Sequence, residues 1–148
     1  MVPLTHSPAD VVAQAFIDAG IGVLPSPSFP DWSCHVHVEP DFPDKVLTVK
    51  DSQGRSEGRE MLGPVNRRWG IQVFIRAGVS EDGYEKCCTS ILPFMETGAN
   101  GMNVTVGGVN YRLHCFSDIG DPIPVGFEQG VSNRFIYTIN ATVLVKRR

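Results

Sequence analysis

The chain has no hydrophobic run long enough to cross a bilayer, and a mean hydropathy of -0.05 with 42% hydrophobic residues reads as an ordinary soluble globular protein. It has no Lys or Arg before Lys45 and no apolar stretch of signal length at its start, so its first residues do not read as a secretory signal. A reducing compartment is therefore expected. No C-x-x-C pair occurs, and Cys34, Cys87, Cys88 and Cys115 count as buried thiols before disulfide candidates. Neighbours on a helix point about 100° apart, so Cys87 and Cys88 cannot bridge. Positive charge is not in excess: 13 Lys+Arg against 16 Asp+Glu leave a net charge of -3, which gives no electrostatic reason to expect duplex nucleic acid as the main ligand. There is no G-x-S-x-G elbow. The nearest phosphate-loop candidate, Val106-Gly107-Gly108-Val109, lacks the Lys-Ser/Thr that should follow and opens onto a strand. No internal repeat is found.

What is present fits one domain over residues 1–148, of 16.2 kDa. Fifteen Gly and eleven Pro exceed the roughly 10 and 7 of average usage, which implies short elements and many turns. Ser7-Pro8-Ala9-Asp10 opens a first helix with a hydroxyl N-cap, Pro at N1 and a carboxylate at N3; Val11, Val12, Ala15, Phe16 and Ala19 form its stripe and Gly20 ends it. Residues 32–39 alternate Cys34, Val36, Val38 against His35, His37, Glu39, and with residues 45–50 predict an antiparallel hairpin. Residues 51–64 bury almost nothing and read as a long exposed loop. Residues 68–77 alternate as a strand, after which Ser80 should cap a second helix with Tyr84, Cys88, Ile91 and Met95 on its stripe, Cys87 and Leu92 widening it, and Pro93 kinking or ending it. A Gly107-Gly108 turn joins two strands, the second with Val109, Tyr111, Leu113 and Cys115 facing inward. Residues 118–133 read as an acidic loop. The last strand, 134–145, would run roughly 40 Å, about twice the usual length, which suggests pairing outside its own sheet or a bend at a bulge. The fold class is α+β: a small, mostly antiparallel or mixed sheet with two helices packed on it.

Two groups of residues could carry chemistry. Cys34-His35-x-His37-x-Glu39 offers the thiolate and imidazole that Zn²⁺ prefers, with His114-Cys115 as further donors. Strand alternation turns Cys34 away from His35 and His37, so a polar sheet face is the favoured reading and no metal or cofactor is assigned. A small metal- or thiol-dependent enzyme using Cys34, His35 and His37 is the alternative. Arg55, Arg59, Arg67 and Arg68 cluster around the long loop, offset in part by Glu57 and Glu60, and Lys146-Arg147-Arg148 end the chain. In a single copy these are solvated charges; repeated around a symmetric oligomer they become a surface.

The strand over residues 69–78, the helix with Tyr84 near its start, the hairpin ending at residues 114–118, Pro122 to Gly126, Asn133 to Tyr137 and Asn140 together resemble the tail terminator and minor capsid (tail completion) proteins of long-tailed bacteriophages. The likeness covers about half of the chain. It implies a small α+β subunit that assembles into a homo-oligomeric ring, a hexamer, which caps the tail tube, ends its polymerisation and provides the surface for joining the head. Implied partners are the tail tube protein and a head-completion or connector protein, with DNA passing through the lumen without specific binding and no membrane involved. The location would be the tail or neck of the virion, assembled in the host cytoplasm. No catalytic residues come with the family, so the chain is not expected to be an enzyme. On this reading residues 51–64, with Gln53, Arg55, Arg59, Arg67 and Arg68, contact the tube or a neighbouring subunit. Residues 119–132, with Asp121 and Glu128, lie near a ring surface, and Arg134 joins the interface. Six copies of a -3 chain suggest an acidic lumen. A DNA-contacting head-tail adaptor or minor capsid protein is the third reading.

Overall fold

In the computed structural model, which describes residues 4–59, 65–127 and 134–148, the first helix forms as its sequence dictates. α1 (Pro8–Asp18) is capped by Ser7, whose hydroxyl accepts the Asp10 N–H at 3.4 Å. At its other end Gly20 takes φ +78°, Gly20 N–H reaches the Ile17 carbonyl and Ile21 N–H reaches that of Phe16. These two bonds make a Schellman ending, which needs a residue free of Cβ strain at Gly20. Val11, Val12, Ala15 and Phe16 are fully buried.

Seven strands follow: β1 (Ser33–Val36), β2 (Val46–Arg59), β3 (Val65–Ala77), β4 (Met102–Val106), β5 (Val109–Ser117), β6 (Ile123–Phe127) and β7 (Phe135–Arg147). They form one sheet in the order β1-β2-β3-β7-β5-β4, with β6 also on β7. The architecture is α+β and mostly antiparallel. β7 has no need of an outside partner for its length. One of its sides pairs β3 over Phe135–Val143, while the other takes β6 over Phe135–Thr138 and then β5 over Thr142–Arg147, two short strands end to end. The acidic segment read as loop thus contains a strand, β6; Pro122, Pro124 and Gly126 hide it in the sequence because an edge strand tolerates residues that a central one does not. A bulge at His114 shifts the pattern of β5, so that Phe116 faces the core and Cys115 is only half-buried.

β1 and β2 are parallel, not a hairpin. Parallel neighbours usually need about a dozen connecting residues. Here residues 37–45 suffice because only four residues of each strand overlap. His37, at φ +66°, reverses the chain at the end of β1, and the Val38 N–H bonds the Val36 carbonyl. That reversal ends the alternation and leaves Val38 73% exposed. Residues 51–59, read as loop, continue β2 as strand. Their pairing with β3 is broken by a bulge at Ser52/Arg55, where the Gln53 carbonyl passes so close to Gly70 that a Cβ there would overlap it.

α2 (Ser80–Lys86) begins one residue earlier than expected: Val79 is the N-cap, and Ser80 is the first helical residue. The helix is not stopped at Pro93. It continues through two π-helical stretches, Cys87–Ile91 and Phe94–Gly98, on either side of that proline. Wider turns change which side chains are buried. Gly83, Cys87, Ile91, Met95 and Ala99 recur every four residues and face the sheet, while Tyr84 and Cys88 turn to solvent. Gly83 lets this helix sit against Tyr137, to which a Cβ would come within 3.2 Å. Both helices cover one face of the sheet and share its core with Leu47, Val49, Ile71, Val73, Ile75, Ile139 and Val143.

One end of the opposite face is covered by the β1–β2 connection. Arg76 on β3, only 1% exposed, reaches under it and donates to the carbonyls of Pro43 at 2.7 Å, Asp44 at 3.3 Å and Asp41 at 3.4 Å. Charge-assisted bonds to a buried guanidinium fix a segment whose prolines leave it few donors of its own. Replacing Arg76 with Met keeps the packing volume and removes all three donors. Urea denaturation of that variant should show a loss of about 3 kcal/mol; an unchanged midpoint would mean that the connection holds itself.

Candidate functional site

The imidazole and thiol group of β1 does not converge. Cys34 is buried in the core, and burial pushes its thiol up to about 12, so it stays protonated at neutral pH. His35 bonds the Ser33 hydroxyl through Nε2 at 2.9 Å; burial, and to a lesser extent the charge of Arg76, lower its pKa. His37 bonds Asp51 at 2.9 Å, and the other oxygen of Asp51 accepts the Ala9 N–H in the first turn of α1. These two histidines therefore have separate structural partners: His37 helps to hold a carboxylate at the positive end of a helix. Among the described residues no three His, Cys, Asp or Glu side chains come together as a metal set. His114 and Cys115 lie on β5, across the sheet from β1.

The interface candidates fall in two places. Gln53, Arg55, Arg59, Arg67 and Arg68 lie together on the β2–β3 hairpin. β1 leaves β2 after Val49 and β7 leaves β3 beyond Trp69, so among the described residues the two strands pair only with each other from Arg55 to Arg59 and from Val65 to Arg68. This is an arm projecting from the sheet. Arg55 and Arg68 stand directly opposite in its register. Arg68 turns back towards the sheet and donates to the Ser117 hydroxyl at 2.8 Å. Asp121 and Arg134 lie elsewhere, beside β6 and at the start of β7. Asp121 is exposed, whereas Arg134 is buried, pairs with Asp44 at 2.9 Å and stacks over Phe42. Glu128 lies outside the described residues.

Two further features escaped sequence reasoning. Exposed apolar side chains gather near one end of the sheet, including Phe29, Phe42, Tyr84 and Phe127. They come from four segments far apart in the chain, so no periodicity announces them. At the other end Arg112 on β5 sits opposite Lys146 on β7, and Arg148 N–H bonds the Asn110 carbonyl. His114 shares this corner: burial first, then the charges of Lys146 and Arg112, lower its pKa.

The chain matches no protein-family model, and no curated protein matches it at a significant level. No helix among the described residues is long and apolar enough to cross a membrane.

The four thiols differ enough to be told apart chemically. Cys34 and Cys87 are buried with thiols pushed up to about 12, by burial in both and, in Cys87, also by neighbouring Cys88; Cys88 is exposed. An aromatic disulfide reagent at pH 8 should therefore modify Cys88 rapidly in the folded protein, and Cys34 and Cys87 only on unfolding. Rapid titration of all four would contradict the buried placement, and C88S should remove the fast phase.

Proposed function

We propose that this protein is a structural subunit of a bacteriophage tail, a tail terminator whose copies form a ring on the tail tube, end its polymerisation and offer a surface to the head. The observation that carries the reading is the β2–β3 arm. A two-stranded extension with four arginines and, among the described residues, no further strand beside it beyond Trp69 is suited to reach a neighbouring subunit or the tube. The element order, a helix followed by strands, a second helix and further strands, agrees with the subunit that the family resemblance implies. Such a protein belongs in the neck of the virion. Its ring would be a hexamer, with DNA passing through an acidic lumen and the tube protein and a head-completion or connector protein as neighbours.

The thiol and imidazole reading, by contrast, lacks a converging set of groups: Cys34 is a core thiol, and His35 and His37 serve different partners. Negative-stain microscopy tests the proposal directly. The purified protein, alone and mixed with polymerising tail tube protein, should give rings with a central hole and tubes that stop at a ring. A variant with residues 54–67 replaced by Asn-Gly should keep its circular dichroism spectrum and lose the tube-bound rings. Tubes that elongate unchanged in the presence of the intact protein would overturn the reading.

A further inference from the structure

Ring contacts form two groups at the end of the sheet where β7 begins, one on the face covered by the β1–β2 connection and one on the helix face, and together they make a band around that end. Phe29 and Phe42 meet with centroids 5.9 Å apart, and the Arg134 guanidinium lies 5.7 Å from the Phe42 ring. Next in the chain, Phe135 meets Phe127 at 5.2 Å and Tyr137 at 5.1 Å, and Tyr137 meets Tyr84 at 5.7 Å. Four of these six rings are at least half exposed: Phe29 58%, Phe42 61%, Phe127 63% and Tyr84 50%. Single exposed apolar residues are ordinary, but a row of them marks a contact surface. Exposed carboxylates border the row. Asp31 and Asp41 lie beside the first two rings in the chain, Glu81 and Glu85 flank Tyr84 on the helix, and the charge of Asp121 reaches Tyr84.

Aromatic faces interleaved with carboxylates fit a surface rich in Arg and Lys, because a guanidinium can stack on a ring while its N–H groups pair with a carboxylate. The chain makes this arrangement once internally: Arg134 stacks on Phe42 and pairs with Asp44. It also carries the complement. Arg112, Lys146 and Arg148 are exposed and adjoin one another through the β5–β7 register. β7 runs from the band at Phe135 to this corner at Lys146, a separation of roughly 35 Å at about 3.3 Å per residue. The two surfaces cannot meet within one copy.

We propose that copies of this chain associate head to tail, the acidic aromatic end of one receiving the Arg112, Lys146 and Arg148 corner of the next. A two-fold dimer through either end would set like charges against each other, whereas a heterologous contact satisfies both and closes into a ring when its rotation closes. The inference rests on the ring reading and names the contact that builds the ring.

Sedimentation velocity on the full chain tests it, with K146E/R148E and D41K/D121K as variants that change only exposed side chains; circular dichroism checks their folding. The wild type should self-associate and dissociate as salt rises. Each variant alone should associate at least about tenfold more weakly. An equimolar mixture should recover assembly, since each then offers what the other lacks. F42S/F127S should weaken association without the salt dependence. A wild type that stays monomeric, or assemblies that survive either charge reversal, would overturn the proposal. Charge-dependent assemblies that never close on a tube would leave this contact standing and remove the tail reading. Rings on tubes formed by the reversed variants would do the opposite.

Discussion

Arg76 donates to three carbonyls of the segment that links β1 to β2, and the arrangement of the second face follows from those bonds. A connection of nine residues can join parallel neighbours only if it lies flat over the sheet, and a flat connection buries carbonyls that need donors. Arg76 supplies them from below. With the segment fixed, Asp44 is in place to pair with Arg134, Phe42 is in place to stack on it, and β1 is held at the sheet edge. The charge of Arg76 also contributes to lowering the pKa of neighbouring His35. One buried guanidinium thus organises the edge of the sheet and one end of the aromatic band.

Local chemistry made much of the fold legible. The Ser7 cap, the Gly20 ending and the Gly107-Gly108 turn were readable because each is a short pattern with one conformational meaning, and the alternation of Ile71, Val73 and Ile75 marked a strand with one buried face. What was not legible depends on partners. β1 is parallel to β2 through the reversal at His37 and a connection whose carbonyls are held by Arg76, more than thirty residues away in the chain. The continuation of β2 past Lys50 is set by cross-strand pairing of polar residues that have no burial pattern. A 3.6-residue period places Tyr84 and Cys88 in the core beside Cys87, whereas the π turns around Pro93 impose a period near four, which keeps Cys87 buried, brings Gly83 inward and turns Tyr84 and Cys88 out.

The candidate site was legible in part, for the same reason. Arg55, Arg59, Arg67 and Arg68 cluster in the sequence and lie together on the arm, so proximity along the chain was a fair guide. Arg134 was not: its charge suggested an exposed contact, but it is buried against Asp44 and Phe42. The aromatic band and the basic corner are assembled from distant segments, and only the register of β7 shows that they lie at opposite ends of one strand. A chain with two complementary ends that cannot reach each other suits a protein that works by repetition, and the projecting arm gives such a repeat something to hold.

Native mass spectrometry at low salt addresses the central claim, that this chain works as a closed assembly of identical subunits, most directly. The account predicts one dominant species of defined subunit number, six on the family resemblance, with little between it and the monomer. A monomer at all concentrations, or an open ladder of sizes with no preferred end, would contradict it.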